Sequence, residues 1–424
     1  MRVLLVNTSE KTGGAAIAAS RLLDALNKNG VKAQMLVVNK QTDNINVIEL
    51  PRPRLLRRAV WALERAAVWV ANRFSRARLF ELSPANVGFD ITGMQEFRDA
   101  DVVHLHWVNQ GFLSLRSIRR IIRSGKPIVW TMHDMWEFTG ICQMATDCDH
   151  WKDECGHCPK LVGGGSAADL SHRVFARKRK MYEGAKVCFV GCSRWMRNTA
   201  LQSTLLGSAR VEHVPNPLNT TLYAPGNAQT ARTRLGLPQD KLLLLFTAYR
   251  ITDPRKGFDF LVKAMKIIEQ SHPALYARLG LIVAGKEADK AEAMLPGLPV
   301  YAFDYVTSEK QMINLYTAAD MFAIPTLFDN LPNTVAEAMA CGKPVVGFDI
   351  GGLPEMIDHM ANGYLARYKD EADLAQGIAT AFEAYTYPTL SQGARRKAMT
   401  AYSEHAISMK MIQIYNSLTR SEHA

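Results

Sequence analysis

Residues 325–358 read PTLFDNLPNTVAEAMACGKPVVGFDIGGLPEMID, and this stretch decides the fold. A short apolar strand over 321–324 leads into it, and a second apolar strand over 344–348 is followed by the pair Gly351-Gly352. Short apolar strands separated by a loop and a helix are typical of a parallel sheet covered by helices. Such sheets bind ligands beyond the carboxyl ends of their strands, and glycine there lets the backbone approach a ligand closely.

Two carboxylates stand in that stretch, eight positions apart. Asp329 lies in the loop after the first strand, and Glu337 lies in the small-residue helix that follows. Carboxylates repel phosphate, but they accept hydrogen bonds from the hydroxyl groups of a sugar or a ribose. The two residues therefore predict a nucleotide-sugar site at the carboxyl edge of the sheet.

The same stretch resembles the signature of the retaining GT-B glycosyltransferases of family four, in which two Glu residues eight apart precede an Ala-Met-Ala helix. Glu337 and the Ala-Met-Ala at 338–340 match that signature. The first position is Asp329 instead of Glu, and Asn-Leu-Pro at 330–332 replaces the usual Gly-Phe-Gly. The nucleotide end of the signature is kept, whereas the sugar end, which sets the donor, departs from it.

The bulk composition is that of a soluble two-domain protein. The chain has 424 residues, of which 48% are apolar and 21% charged, and this length allows two domains with their own cores. No apolar run is long enough to predict a transmembrane helix. The opening MRVLLV predicts a buried strand rather than a signal peptide. Seven cysteines, an odd number, indicate the reducing cytoplasm.

Apolar runs alternate with helical segments along the chain and predict an α/β fold with two consecutive doubly wound domains. The first would span 1–215 and the second 216–402, with a turn-rich linker at 215–229 and a closing helix over 403–420. The resemblance implies that this helix returns to the first domain, and that two Rossmann-like domains, one for the acceptor and one for the nucleotide-sugar, face each other across a cleft. Strands are predicted within 2–7, 33–39, 101–107, 127–133, 186–193, 242–250, 281–285, 299–306, 321–325 and 344–349.

Arg250 and Lys256 are two cations at the carboxyl end of one predicted strand, just before a helix. Such a place suits a diphosphate, and the cations would offset the charge that develops on the leaving phosphate. The resembled family has an Arg and a Lys at this spacing that bind the donor diphosphate, which implies that no catalytic metal is needed. The alternative is two solvated surface cations. A dinucleotide site is excluded because TSEKTGG, not three spaced glycines, follows the first strand.

Three further positions follow predicted strands in the first domain. Gly13 and Gly14 open its first helix, where the family has a pair that faces donor and acceptor, although two glycines can also serve only the turn. His133 ends an apolar strand, and the family has a His there that contacts the donor sugar; a structural His is the alternative. His104 and His106 share one face of a strand and are weaker candidates for acceptor contacts.

The resemblance also assigns the rest of the donor site. Glu337 would hold the ribose hydroxyls, and Asp329 with the backbone of Gly351 and Gly352 would hold the donor sugar. The loop with Tyr305 would lie against the base. The catalytic residues implied are His133, Arg250, Lys256 and Asp329.

Four cysteines lie within seventeen residues of one another, and the last two form a Cys-x-x-Cys followed by Pro. Four thiolates match the ligand count of a closed structural zinc site. Reduced free thiols and a disulfide are the alternatives. Such a cysteine-rich insertion recurs in the polysaccharide-assembly, colanic-acid-type subset of the resembled family. The candidate zinc ligands are Cys142, Cys148, Cys155 and Cys158.

The net charge of +11 is concentrated in residues 51–80, which hold eight arginines and one acidic residue. Trp61 and Trp69 lie beside an apolar stripe at helical spacing. A basic amphipathic helix of this kind suits an anionic membrane surface; a helix that packs its apolar face on its own domain is the alternative. Nothing else in the chain supports nucleic-acid binding, and the oligomeric state is left open. The stripe comprises Leu56, Val60, Leu63, Ala67, Val70 and Phe74.

The resemblance implies a retaining glycosyltransferase that moves a sugar from a UDP- or GDP-sugar to an acceptor hydroxyl, in surface polysaccharide or lipid-linked glycan assembly. It would work in the cytoplasm, peripherally on the inner membrane face. Two alternatives remain on the same fold. A sugar-nucleotide epimerase or hydrolase would release product without an acceptor, and a non-catalytic assembly partner would bind the donor without releasing nucleoside diphosphate.

Overall fold

The structure is a computed structural model and describes residues 1–145 and 147–420. By its internal contacts the chain divides into two units. The first unit comprises Met1–Pro217 together with the segment from Ile407 onward, and the second comprises Leu218–Ala406. The chain therefore leaves the first unit once and returns to it near its end.

The first unit contains a parallel sheet of seven strands. They are β1 (Arg2–Val6), β2 (Lys32–Val37), β3 (Val47–Glu49), β4 (Val102–Leu105), β5 (Ile128–Met132), β6 (Val187–Gly191) and β7 (Arg210–His213). In space they follow the order β3-β2-β1-β4-β5-β6-β7. The central strands β4, β5 and β6 are buried along their whole length, as expected for near-continuous apolar runs covered on both faces.

Six helices connect these strands. They are α1 (Gly14–Lys28), α2 (Arg54–Ala71), α3 (Gln95–Asp99), α4 (Leu115–Ile122), α5 (Leu170–Tyr182) and α6 (Arg194–Ala200). The side chains of Ser114, Asp169 and Ser193 accept hydrogen bonds from the first backbone N–H groups of α4, α5 and α6. These caps satisfy donors that a helix leaves unpaired and fix where each helix begins.

The second unit is built on a parallel sheet of six strands. They are β8 (Leu242–Arg250), β9 (Leu279–Lys286), β10 (Val300–Phe303), β11 (Met321–Ile324), β12 (Val345–Phe348) and β13 (Gly363–Ala366). Their order in space is β10-β9-β8-β11-β12-β13. The chain thus builds outward from β8 in one direction and then continues on its other side, so the order reverses between β8 and β11.

Nine helices belong to the second unit. They are α7 (Ala228–Leu235), α8 (Phe258–Ser271), α9 (Pro273–Tyr276), α10 (Lys290–Met294), α11 (Glu309–Ala318), α12 (Asn333–Ala340), α13 (Leu353–Met356), α14 (Glu371–Ala381) and α15 (Tyr387–Tyr402). One buried apolar cluster joins strand residues such as Phe246 and Val283 to helix residues such as Leu261 and Ile378. This core fixes the sheet edge on which the candidate site stands.

The last helix, α16 (Glu404–Arg420), contributes to the core of the first unit. Met411 and Tyr415 are buried in the same cluster as Leu5 and Leu22, which come from β1 and α1. The stretch 215–229, predicted to be a linker, is packed against the folded chain. Its Tyr223 is fully buried, and α7 begins within it.

The prediction of two doubly wound α/β domains is confirmed by the two parallel sheets. All ten predicted strands are present, and β3, β7 and β13 were not predicted. Within the described residues, no helix is both long enough and apolar enough to cross a membrane.

Candidate functional site

The candidate donor site lies at the carboxyl edge of the second sheet, where the order of strands reverses. Strand β8 ends at Arg250, and its neighbour β11 leads into the loop that carries Asp329. Open α/β sheets bind ligands in the crevice at such a switch point. The sheet order therefore brings the loops after β8 and β11 next to each other, as the ligand site requires.

Lys256 lies in the loop after β8, where a tight turn positions it. Gly257 follows at φ +70°, a left-handed conformation that favours glycine. A Cβ at Gly257 would come within 1.8 Å of the Pro325 carbonyl oxygen, so a side chain is excluded. The amide of Leu327 donates to the Arg255 carbonyl at 2.8 Å. The loops after β8 and β11 are thus bound to each other through their backbones.

Lys256 and Asp329 form an ion pair across these loops, with Nζ 3.0 Å from Oδ2. The side chain of Lys256 is about a third exposed and that of Asp329 about a fifth. An ammonium group has three donors. Lys256 can therefore keep this contact and still donate to an anion.

Arg250 projects from the end of β8 and keeps 55% of its side chain exposed. Its nearest acidic neighbour is Glu287, with Nε 4.0 Å from Oε2. Glu287 also accepts a hydrogen bond from Thr252 and lies 3.3 Å from the ammonium group of Lys290. The guanidinium of Arg250 is only loosely held, and it stands at the same strand end as Lys256.

Gly351 and Gly352 approach the Asp329 loop closely. Gly351 has φ +59°, and a Cβ there would lie 2.1 Å from the carbonyl oxygen of Asp329. The amide of Gly352 donates to that same oxygen at 3.3 Å. Both glycines therefore fix the Asp329 loop, and any side chain at 351 would push it away.

Glu337 is buried in the middle of α12. The hydroxyl of Tyr316 donates to Glu337 Oε2 at 2.8 Å. Burial raises the pKa of Tyr316 well above its ordinary value, so the phenol stays a donor. Tyr316, which was not predicted as a site residue, orients the carboxylate from α11.

Tyr305 follows β10 on the same sheet edge and is 40% exposed. Its ring packs edge-to-face on that of Tyr249, with centroids 5.0 Å apart. Lys286 in turn donates to the Tyr249 hydroxyl at 2.7 Å. Tyr249 and Lys286, which the sequence analysis did not single out, thus support Tyr305 from β8 and β9.

In the first unit, Gly13 stands at the start of α1 with φ +93°. A Cβ at Gly13 would meet no atom within 4 Å. Glycine is therefore needed for the backbone conformation, and the space beside it is open. Gly14 is the first residue of the helix.

His133 follows β5 and is held by two side chains. Its Nε2 lies 3.0 Å from Nδ1 of His106, and its Nδ1 lies 3.6 Å from the Cys192 sulfur. Burial lowers the pKa of His133 to about 4 and that of His106 well below its ordinary value. Both rings are therefore neutral near pH 7, and one donates a hydrogen bond to the other.

His104 was predicted as a candidate for acceptor contacts, but its ring is not accessible to a ligand. It is fully buried, with Nδ1 2.7 Å from the Tyr415 hydroxyl and Nε2 2.7 Å from the Thr131 hydroxyl. Burial lowers its pKa to about 3. Both nitrogens are engaged in the core, so the hypothesis that His104 contacts an acceptor is wrong. His104 instead ties α16 to the sheet.

His106 retains one open position. Its Nε2 is buried and has no hydrogen-bond partner among the described residues. Together with His133 and Thr131 it lines a small cavity of about 10 Å³, roughly the space of one water molecule. A polar group so placed normally finds a partner. Of the two histidines on β4 and the residue after it, His106 therefore keeps a ring nitrogen open toward the cavity beside His133, whereas His104 does not.

The four cysteines Cys142, Cys148, Cys155 and Cys158 influence one another electrostatically. A hydrogen bond from the Cys142 thiol lowers the pKa of Cys158 to about 7. Cys155 is buried and accepts a hydrogen bond from the Gly140 amide at 3.2 Å, and Cys148 is less buried. Within residues 1–145 and 147–420, no three Cys, His, Asp or Glu side chains are arranged so that they could hold a metal ion as they stand.

Family comparisons match both units. Residues 12–222 match the model described as Glycosyltransferase Family 4, and residues 241–384 match the model described as Glycosyl transferases group 1. The two ranges do not overlap and together cover most of the chain. The second contains Arg250, Lys256, Asp329 and Glu337.

Curated relatives carry related descriptions. A D-inositol 3-phosphate glycosyltransferase of Saccharomonospora viridis is 33% identical over 187 residues, 42% of this chain and 43% of that protein. The chain thus spans less than half the length of this relative. The putative colanic acid biosynthesis glycosyl transferase WcaC of Escherichia coli is 23% identical over 335 residues, 75% of this chain and 76% of that protein.

Solved structures share the fold over nearly the whole chain. Sucrose-phosphate synthase from Thermosynechococcus elongatus superposes with a TM-score of 0.67 at 18% identity, covering 99% of each chain. HepE of Anabaena, solved in complex with UDP, gives 0.65 at 17% identity, covering 98% of this chain and 100% of that one. These likenesses confirm the GT-B fold.

Proposed function

We propose that this chain, which belongs to the group 1 glycosyltransferases, is a retaining enzyme that moves a sugar from a nucleoside-diphosphate-sugar to an acceptor hydroxyl. The observation that carries the proposal is the pairing of Lys256 with Asp329, beside Arg250, at the switch point of the second sheet. Two cations for the diphosphate and a carboxylate for sugar hydroxyls stand there on the loops that follow β8 and β11. The HepE complex with UDP supports a nucleotide ligand on this fold.

In this proposal each donor group has its own partner. Arg250 and Lys256 bind the diphosphate and stabilise the negative charge that it gains when the glycosidic bond breaks. Glu337 accepts hydrogen bonds from the ribose, and Tyr305 lies against the base. Asp329 binds the sugar hydroxyls, supported by the backbone of Gly351 and Gly352.

The reaction proceeds on one face of the sugar. The bond from the anomeric carbon to the phosphate oxygen breaks as the bond to the acceptor oxygen forms, and the leaving phosphate oxygen receives the proton of the acceptor hydroxyl. Neutral His133 contributes a hydrogen bond to the donor sugar, for which it exchanges one of its contacts with His106 or Cys192. Gly13 and Gly14 offer backbone amides to donor and acceptor oxygens.

The acceptor proposed is a glycan under assembly, lipid-linked or part of a surface polysaccharide, at the cytoplasmic face of the inner membrane. The description of one similar protein supports this class, since WcaC is a putative colanic acid biosynthesis glycosyl transferase. The donor is a UDP- or GDP-sugar. A structural zinc on the four cysteines is a further part of the proposal, supported by their number and by their position within seventeen residues of one another.

The test is a panel of UDP- and GDP-sugars incubated with the protein, with and without membrane lipid extract, and analysed by mass spectrometry. We expect one donor to release nucleoside diphosphate, with a new glycolipid that appears only when the extract is present. Free sugar or an epimer formed without extract would identify a hydrolase or epimerase instead. Binding of a donor without any release of nucleoside diphosphate would identify a non-catalytic partner.

A further inference from the structure

Helix α2 exposes most of its apolar residues and buries two charged ones, the reverse of the usual arrangement in a surface helix. Only Glu64, Arg65 and Val68 are buried among its eighteen residues. Leu55 is 79% exposed, and Leu63 is 58% exposed. A surface helix of a soluble domain normally packs its apolar stripe inward and shows its charges to water. Here the buried side is partly charged, and the open side is apolar.

A buried ion pair attaches this helix to the first unit. Glu64 and Arg65 lie 3.1 Å apart and are almost fully buried. Ser83 donates to Glu64 at 2.5 Å, and Arg65 donates to the carbonyl oxygen of Leu82 at 3.0 Å. Losing one partner of such a pair leaves a buried charge uncompensated, which is strongly unfavourable. The helix is therefore held in this orientation, with its apolar residues outward.

The alternative from the sequence, in which the apolar stripe packs on its own domain, does not agree with the exposure of its residues. Val70 and Phe74 from that stripe are 56% and 64% exposed. Trp61 stacks on Phe80 with ring centroids 6.2 Å apart, and both rings remain partly exposed. Aromatic rings in this setting are common at the boundary between water and lipid headgroups.

An open apolar groove continues this face toward α5. It has a volume of about 590 Å³, and the exposed Arg173 and Arg177 stand at its rim. Its apolar lining includes Leu63, Ala67, Val70, Leu170 and Val174. Helix α2 and α5 therefore form one apolar surface with cations along its border.

Exposed arginines also bracket both ends of α2. Of the eight arginines in residues 51–80, two are engaged with acids: Arg57 pairs with Glu49, and Arg65 pairs with Glu64. Within the described part of the chain, the other six form no ion pair with an acidic side chain. They are Arg52, Arg54, Arg58, Arg73, Arg76 and Arg78.

We propose that this surface docks on an anionic lipid leaflet, with the open face of α2 at the level of the acyl-chain boundary and the arginines on lipid phosphates. The partner follows from charge and shape together: an apolar strip between two cationic ends matches a bilayer interface of negative charge. A second copy of the chain is disfavoured because it would bring two sets of arginines face to face. The inference is independent of the proposed reaction.

The first test is flotation of the full-length protein with vesicles. We expect it to float with vesicles of phosphatidylglycerol and phosphatidylcholine, and to stay behind with phosphatidylcholine alone. Raising the salt from 0.05 M to 0.5 M should weaken the attachment, because exposed charges are then screened. Equal recovery on both vesicle types, or none on either, would overturn the proposal.

Two variants separate the charged and apolar contributions. The triple substitution Arg54→Gln, Arg58→Gln and Arg76→Gln should weaken partition on the order of 100-fold. The matched control removes the same charge from other exposed positions, Arg116→Gln, Arg119→Gln and Lys186→Gln, and should bind vesicles almost like the wild type. If both triple variants lost vesicle binding equally, the attachment would depend only on net charge, and the proposal of a defined docking surface would be contradicted.

The apolar variant carries Leu63→Ser and Val70→Ser. Both side chains are exposed, so the fold should be kept, and attachment to anionic vesicles should fall at least tenfold. All variants should bind UDP like the wild type, which keeps this test separate from that of the donor site. A wild-type dimer in solution that this variant dissociates would assign the face to a second copy and overturn the lipid proposal.

Discussion

The ammonium group of Lys256 lies 3.0 Å from a carboxylate oxygen of Asp329, 73 positions further along the chain. This contact links the loop after β8 to the loop after β11. The backbone oxygen of Asp329 also accepts a hydrogen bond from Gly352, which follows β12. Three strand ends are thereby connected through one residue, Asp329, and the proposed donor site includes this connection.

Removing either cation of the diphosphate clamp should slow turnover. We expect Arg250→Ala and Lys256→Ala each to lower kcat on the order of 10² to 10³, because each removes charge from the developing phosphate. Thermal stability should change little, since partly exposed ion pairs contribute at most about 1 kcal/mol. Arg255→Ala is the matched control, as the Arg255 guanidinium pairs with Asp253 instead. Wild-type turnover in Arg250→Ala would contradict the assignment.

Glu337→Gln should weaken the binding of donor and of free nucleoside diphosphate alike. A hydrogen bond to a carboxylate contributes about 1.5–3 kcal/mol, so the expected loss is roughly 10- to 100-fold per ribose contact. Tyr316→Phe should have a smaller effect on affinity but lower the stability by about 1–3 kcal/mol, because it leaves a buried carboxylate oxygen without its donor. Calorimetric titration with the nucleoside diphosphate measures the affinities, and urea unfolding measures the stabilities. Unchanged affinity in Glu337→Gln would move that residue out of the nucleotide site.

The buried histidines should make the first unit sensitive to acid. Their pKa values lie below the ordinary 6.5, at about 4 for His133 and about 3 for His104. The unfolded chain therefore binds more protons below pH 6.5, and stability falls progressively from there toward pH 4. A shift to about 4 corresponds to roughly 3 kcal/mol for one ring.

His104→Gln tests this pH dependence. The variant removes one titrating ring, so its loss of unfolding free energy between pH 7 and pH 4.5 should be smaller than that of the wild type in urea titrations. Its absolute stability at pH 7 should fall, because Tyr415 and Thr131 lose a shared partner. Identical pH slopes in the two proteins would show that His104 does not titrate on unfolding.

If the cysteine cluster holds zinc, purified protein should contain close to one equivalent by elemental analysis. Cys155→Ser and Cys158→Ser should each abolish it, and a chelator should lower the thermal midpoint, since metal binding to such a loop is also folding energy. Cys341→Ala, at a buried position of the second unit, should keep the metal. Metal-free protein with four readily alkylated thiols would exclude the site.

Ten of thirteen strands could be predicted from their apolar runs; nine of them contain at least four buried residues, and the tenth, β10, is an edge strand whose sequence is nevertheless a continuous apolar run. The three that were missed, β3, β7 and β13, have only three or four residues each and lie at sheet edges. An edge strand has a neighbour on one side only, and its residues are partly exposed. The sequences of β3 and β7 therefore contain charged residues and lack the continuous apolar run that marks a central strand.

The types of residue in the donor site could be read from the sequence, but their contacts could not. Lys256 meets Asp329 across 73 positions and Tyr316 meets Glu337 across 21, and only the order of strands brings them together. The sequence also left open which side of α2 is turned inward. Helical periodicity identifies an apolar stripe, whereas the buried Glu64 decides which side of the helix is turned inward.

The most direct test of the donor site compares a nucleoside diphosphate with its monophosphate by calorimetric titration, UDP with UMP or GDP with GMP according to the base of the donor that the panel identifies. The two ligands share base and ribose and differ in the second phosphate that Arg250 and Lys256 are proposed to bind. We predict that the wild type binds the diphosphate at least tenfold more tightly than the monophosphate, and that Arg250→Ala loses this preference while Arg255→Ala keeps it. Equal affinity for the two nucleotides in the wild type, or a preference for the diphosphate that survives in Arg250→Ala, would contradict the account.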